Sequence, residues 1–262
     1  VTGFTATTED ALYNVADVTF SSEGEASATQ QNAGTDYMGL TEDLFGNSNR
    51  NFSKVNFIIV DGYQTISPIN VAVTITEHSD EVDYDGEIHT VNGYDVTSIS
   101  NPLYTTADFE FNGTASVSGT NATSYDMALT AADFTNTNNN FATVTFTIVD
   151  GQLVIKPITT TVTITGSHDT KPYDGKEHSV SGYVAEADST LYNVSSDITF
   201  TGTAEAAQTD VGTDVMGLTA ANFANNNTNF SEVTFNVTDG YQAITTVNRR
   251  SEERFSRNAE TD

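Results

Sequence analysis

The chain has 262 residues with no cysteine and no tryptophan, and its 36 acidic residues against 9 basic ones give a formal charge of −27. Lack of cysteine excludes disulfides, thiolate metal sites and a cysteine nucleophile, and a surface this acidic repels phosphate backbones and anionic lipid, which argues against nucleic-acid and membrane-surface partners. No run of about 18 apolar residues is present, so no membrane insertion is expected of this segment.

In chain order, residues 1–68 open with Val1-Thr2-Gly3-Phe4, which aligns with Val91-Asn92-Gly93-Tyr94 and Val180-Ser181-Gly182-Tyr183. The two later copies are preceded by a V-T-I-T strand and a Y-D-G loop that the first copy lacks. Residues 1–68 are therefore read as an incomplete β repeat. It should expose apolar area and unpaired backbone, and should be the weakest part of the chain. With neither an initiator Met nor a signal peptide, the sequence reads as an internal piece of something longer.

The first repeat ends in the stretch that sets the ruler. Residues 51–69 read N-F-S-K-V-N-F-I-I-V-D-G-Y-Q-T-I-S-P-I, and close copies occupy 140–158 and 229–247. Their Asp-Gly pairs fall at 61–62, 150–151 and 239–240, a period of 89 residues at both steps. Within each copy apolar residues alternate with polar ones (Val144, Phe146 and Ile148 against Thr143, Thr145 and Thr147), the period of a half-buried strand. The Asp-Gly pair predicts a tight hairpin with glycine at positive φ.

Residues 69–157 form a complete second repeat. Val71, Val73 and Ile75 are expected on one face of a first strand, followed by an acidic loop and strands over 88–94, 108–113 and 114–120. In 124–130, Tyr125, Met127 and Leu129 share a face. Thr130 is expected to cap a short helical turn with its hydroxyl. About seven strands per repeat suit a sandwich. Residues 158–247 follow the same order as a third repeat. Pro68 and Pro157 mark short, stiff junctions, and with no Gly/Ser linker the array should behave as a semi-rigid rod. Residues 248–262 break the pattern and hold four of the basic residues, Arg249, Arg250, Arg254 and Arg257. This stretch resembles the conceptual translation of a short-read sequencing adapter and is read as a non-domain tail.

Candidate chemistry is sparse. The acidic loop 79–87 offers Asp83, Asp85 and Gly86 as part of a calcium loop, but EF-hand spacing is not met and the third repeat replaces two acids with Lys171 and Lys176. His78, His89, His168 and His178 supply two histidines per repeat, too few for zinc without cysteine. Tyrosines recur at 84/173, 94/183 and 13/104/192, which suits packing and hydroxyl-to-backbone corners better than a sugar platform. The sequons at Asn112, Asn121, Asn193 and Asn236 are expected by chance in so Asn/Thr-rich a chain. No G-x-S-x-G elbow, Ser-x-x-Lys pair or phosphate-cradling Gly loop occurs. The chain is read as non-enzymatic, with no catalytic, cofactor-binding or metal residues and no cofactor.

Y-D-G-x-x-H (Tyr84-Asp85-Gly86 with His89; Tyr173-Asp174-Gly175 with His178), G-T-D-x-M-G-L-T (34–41 and 212–219) and the terminal N-F…V-x-F…D-G…I-x-P recur in order. Together they resemble the tandem YDG or MBG-type repeats of large bacterial cell-surface proteins, over about residues 1–247. Thr246 departs from Pro68 and Pro157, and Met127-Ala128-Leu129 loses the middle Gly. The resemblance implies extracellular stalk modules whose partners are neighbouring repeats of the same chain. The alternative is an adhesive module for a glycan or host glycoprotein. The expected fold is all-β, a tandem array of Ig-like sandwiches, with β-grasp-like repeats carrying one short helix each as the alternative.

Overall fold

The computed structural model of the chain describes residues 1–21 and 24–248; of the tail expected over 248–262, residues 249–262 lie outside them. Alternation dictates which residues enter the core. In Ile69–Glu77, Val71, Val73, Ile75 and Glu77 are buried while the intervening residues face outward, because successive side chains of a strand point to opposite faces. The fold is all-β. Among the described residues the helical segments are single 3-10 turns of three residues, such as Glu42–Leu44, Ala131–Asp133 and Ala220–Asn222. The helix that a β-grasp-like repeat needs over 131–137 is thus one tight turn. Thr130 is the N-cap of this turn, in a capping box with Asp133: its N–H and its hydroxyl both donate to Asp133 Oδ2, at 2.7 and 2.9 Å. An ionised carboxylate only accepts, so the hydroxyl acts as donor there.

The chain divides into two compact units. One comprises Val1–His78, Gly93–Ala115 and Ala128–Gly151; the other comprises Ser79–Asn92, Ser116–Met127 and the chain from Gln152 onward. In the first unit Ile69–Glu77 is the central strand of three, parallel to Phe141–Val149 and antiparallel to Tyr94–Ile99. Over it lies the pair Phe109–Phe111 and Phe134–Asn136, whose rings close on Phe146: the Phe109–Phe146 and Phe134–Phe146 centroids are each 5.3 Å apart. Val18–Phe20 pairs with Phe45–Asn47, and Gly34–Tyr37 with Tyr63–Ile66.

The second unit repeats the theme. Ile158–Gly166 lies between Tyr183–Ala187 (antiparallel) and Phe230–Thr238 (parallel). Its inward residues Val162 and Ile164 form a core with Tyr192, Phe223 and Phe230. A second sheet places Tyr241–Thr245 between His168–Pro172 (parallel) and Gly212–Val215 (antiparallel). A smaller cluster of Ala206, Met216 and Leu218 packs with Val180, Ala204 and Val237.

Three sequence expectations need correction. First, residues 69–157 hold ten strands, not seven. Gly93 at φ +91 and Ala128 at φ +63 break two expected strands in the left-handed region, and the acidic loop contributes a strand of its own, Asp80–Asp83.

Second, the Asp-Gly pair does not turn a hairpin. Phe230–Thr238 and Tyr241–Thr245 do not pair with each other; each runs parallel to the corresponding strand of the pair Ile158–Gly166 and His168–Pro172. Both chains pass together from one sheet into the next, and they touch where they cross. A Cβ on Gly240 would stand 2.4 Å from the Ser167 carbonyl oxygen, and one on Gly166 would stand 2.3 Å from Gly240 N. The glycine is there for close backbone approach, not for positive φ: none of Gly62, Gly151 and Gly240 is left-handed. The aspartate has a separate task. Asp239 accepts from the N–H groups of Gly217, Leu218 and Gly240 at 2.8–3.0 Å, and Asp61 accepts from those of Gly39 and Leu40 at 3.0 Å.

Third, residues 52–60 make no ladder among the described residues, although Val55, Phe57 and Ile59 stand at the same alternate positions as the apolar residues of the two later copies. Phe141–Val149 and Phe230–Thr238 exist as strands because Ile69–Glu77 and Ile158–Gly166 lie beside them. Residues 52–60 have no such neighbour among the described residues.

One buried polar atom tests the packing. Gln242 is fully buried at the centre of its sheet and its Oε1 has no hydrogen-bond partner among the described residues. One period earlier Leu153 occupies the same place, also fully buried. Gln242→Leu should therefore raise stability by about 1–2 kcal/mol, because it removes an unsatisfied acceptor at little change in volume. Urea denaturation of the two proteins measures the difference.

Candidate functional site

Asparagine builds the most organised polar structure in the chain. In Asn136-Thr137-Asn138-Asn139-Asn140, alternate side chains hold the loop that enters the long strand. Asn136 Oδ1 accepts from Asn138 N at 3.0 Å, its Nδ2 donates to the carbonyls of Asn138 and Phe141, and Asn138 Oδ1 accepts from Asn140 N at 2.9 Å. Short amide side chains suit this because they mimic backbone groups and satisfy the N–H groups of a turn. Asn225, Asn227 and Asn229 repeat it bond for bond, and so do Asn47, Asn49 and Asn51.

Each ladder is anchored by a tyrosine and an aspartate. The Tyr104 hydroxyl lies 3.1 Å from both the Asp108 carbonyl and Asn136 Oδ1, and that of Tyr192 lies 2.9 Å from the Asp197 carbonyl and 3.1 Å from Asn225 Oδ1. Tyr13 donates to Asn47 Oδ1 at 3.1 Å. Asn138 and Asn227 donate to Asp108 and Asp197 at 2.8 Å. The hydrogen bonds from Thr105 and Asn138 hold the Asp108 carboxyl below the ordinary value; at Asp197, burial pushes the other way, but bonds from Asn227, the Asn193 N–H and Ser196 outweigh it.

Burial, helped by the Asp197 charge, pushes the Tyr192 phenol up to about 12. The folded pKa is raised, so this contribution to stability is complete below the unfolded tyrosine value near 10 and is lost as pH rises through about 12. Burial also raises Tyr94 and Tyr104, so spectrophotometric titration should show several late-ionising tyrosines, and Tyr192→Phe should remove the one at about 12.

The last asparagine of the ladder reaches one repeat back. Asn140 Oδ1 accepts from Ala33 N at 2.6 Å and its Nδ2 donates to Asn32 Oδ1 at 3.1 Å. Asn229 Oδ1 accepts from Ala122 N at 2.6 Å and its Nδ2 donates to Asn121 Oδ1 at 3.2 Å. Both amides span the same sequence separation, 107 residues to the backbone N–H and 108 to the partner asparagine. Meanwhile their own carbonyls accept from Ile69 N and Ile158 N, the first residues of the central strands. One residue thus joins two successive repeats. By sequence alone this loop is Asn-rich filler; the signal was present as Asn at every second position in all three copies.

The residues singled out for chemistry fall into local roles. Glu81 and Asp83 face Lys156, with Nζ 2.9 and 3.6 Å away. Asp85 turns the other way, accepting from Glu87 N and from the His89 ring at 2.9 Å, beside Gly86 at φ +82. The Glu87 N–H and then His89 hold its carboxyl low. Asp174, Lys176 N and His178 reproduce this turn around Gly175, which explains the recurrence of Y-D-G-x-x-H. The other two histidines have separate settings: His78 lies 3.4 Å from Asp95, and His168 stacks on Tyr241. The structure brings neither the acidic loop nor the histidines together; among the described residues there is no group of three or more His, Cys, Asp or Glu placed to share a metal ion.

Of the recurring tyrosines, Tyr94 and Tyr183 pack on Phe111 and Phe134 and on Phe200 and Phe223, and Tyr84 packs on Phe230. Tyr173 is exposed. A pair that the sequence did not suggest, Tyr37 and Tyr63, sits directly opposed across two strands with ring centroids 5.7 Å apart and exposures of 62% and 59%. No family model, curated protein or solved structure matches the chain.

Proposed function

We propose that the chain is a structural spacer: stalk repeats of a secreted bacterial cell-surface protein that hold a distal functional domain away from the surface. The observation that carries this reading is the asparagine clamp. The best-organised polar groups of the chain are spent on joining each repeat to the one before it, at an identical sequence separation both times. Each clamp ties parts of two successive copies into one compact unit, which suits the stalk modules that the resemblance to YDG/MBG-type repeats implies. Ig-like sandwiches in tandem, with repeats at 1–68, 69–157 and 158–247, are the architecture this reading takes.

The exposed Tyr37–Tyr63 pair favours a second reading, an adhesive module whose aromatic edge takes a glycan or host glycoprotein, since two open ring faces can stack on a sugar. A glycan-array screen of the intact chain separates the two. A spacer binds nothing reproducibly; reproducible binding that Tyr37→Ala or Tyr63→Ala abolishes would overturn the spacer reading.

A further inference from the structure

We infer that residues 52–60 are a strand-acceptor site. It takes an extended β segment of the type Ile158–Gly166, with alternating Val/Ile and Thr, added in parallel along its edge. The chain contains two filled examples of this site. Phe141–Val149 holds Ile69–Glu77, and Phe230–Thr238 holds Ile158–Gly166, both in parallel and both with the same irregularity after the leading Phe. Residues 52–60 carry the same N-F-x-x-V-x-F start and the same inward residues, yet have no ladder hydrogen bonds among the described residues. An extended edge with open N–H and C=O groups is what strand addition uses: the main chain supplies affinity and alternate side-chain positions supply selectivity.

Three details fix the occupant as a strand of this kind. The register follows from the filled examples. Phe52 pairs with the first residue of the incoming strand, Ser53 is bulged out, and Val55, Phe57 and Ile59 take the places that Val233, Phe235 and Val237 hold opposite Thr160, Val162 and Ile164. The end of the site is also marked. Gly151 and Gly240 are pressed against the backbone of the neighbouring crossing chain, whereas the nearest atoms to a Cβ on Gly62 all belong to the Met38 side chain. The incoming strand would supply that backbone at Gly62. Finally, the outward residues Ile58 and Val60 are 92% and 90% exposed, where the third repeat has Asn236 and Thr238. This apolar edge is most open where the ladder is absent.

The test joins residues 158–179 of this sequence to Val1 of the full chain, a spacing that Val180 and Val1 share in the repeat alignment. Hydrogen exchange then reads the amides of 53–60. The graft should slow their exchange about tenfold or more, and a graft carrying Val162→Asp should not. Equal exchange with the native and the Val162→Asp graft would overturn the inference. So would concentration-dependent protection of the same amides in the ungrafted chain, which would make a second copy the occupant. Neither result bears on the spacer reading, which the glycan screen decides.

Discussion

Gly240→Ala should destabilise the second unit by about 3 kcal/mol or more, while Gly62→Ala at the corresponding place should change stability by less than about 1 kcal/mol. A hairpin glycine at positive φ would lose about the same in every copy, because the penalty would come from its own backbone conformation. None of these glycines has that conformation. At Gly240 the new methyl would meet the Ser167 carbonyl oxygen at 2.4 Å and the Gly166 carbonyl carbon at 3.0 Å. Those are backbone atoms of a parallel strand pair and cannot move aside without breaking ladder bonds. At Gly62 the methyl would meet Met38 Sδ at 2.9 Å and Cε at 3.2 Å, the far end of a side chain that repacks easily. Chemical denaturation followed by circular dichroism measures both; equal losses would return the Asp-Gly pair to a turn role.

Glu77→Ala should cost about 3–5 kcal/mol. Glu77 is only 3% exposed, and its two carboxylate oxygens accept from Leu129 N at 2.6 Å and Gly151 N at 2.7 Å. Removing the carboxylate leaves two buried backbone donors without a partner and a gap under the crossing. The third repeat solves the same problem differently: Gly166 stands one period after Glu77, and Asp239 caps Gly217 and Leu218. Asp150 already occupies the place of Asp239 in the second repeat. The double substitution Glu77→Gly, Ala128→Gly should therefore recover most of the loss, with Asp150 turning inward as Asp239 does. The change at Ala128 also relieves the positive φ that this alanine bears, a relief of about 1 kcal/mol. Thermal denaturation of single and double variants checks the order: Glu77→Ala lowest, the double variant near the native chain.

These two residues show where sequence reading reached and where it stopped. Period-two alternation identified the inward faces, so Val71, Val73 and Ile75, and Val144 and Phe146 beside them, are where the pattern places them. Glu77 sits at the next inward position of the same strand, and an acid there reads as the start of an acidic loop. Only the two N–H groups it meets reveal a buried cap. The Asp-Gly pair was legible as a breaker, but its partner in space lies in a parallel strand more than 70 residues away, and local turn statistics cannot see a non-local crossing. The tyrosine corners were readable because a hydroxyl in a repeated aromatic position needs an acceptor. The asparagine clamp was not, since its acceptor and donor lie in the previous repeat and the Asn-Ala pairs that receive it, at 32–33 and 121–122, are too short a match to mark a contact.

That clamp constrains how the gene encoding such a chain can change. Both amides of this kind address the copy immediately before their own, and both receiving loops read Asn-Ala, at 32–33 and 121–122, where the third copy has Asp210-Val211. Gain or loss of DNA in units of one whole period leaves each surviving amide opposite an equivalent loop, and the protein is simply longer or shorter. Gain or loss of half a period strands an asparagine against the wrong segment and separates a long strand from its parallel neighbour, leaving an edge as bare as that of residues 52–60. The clamp therefore predicts that length variants of such a chain differ by whole multiples of one period.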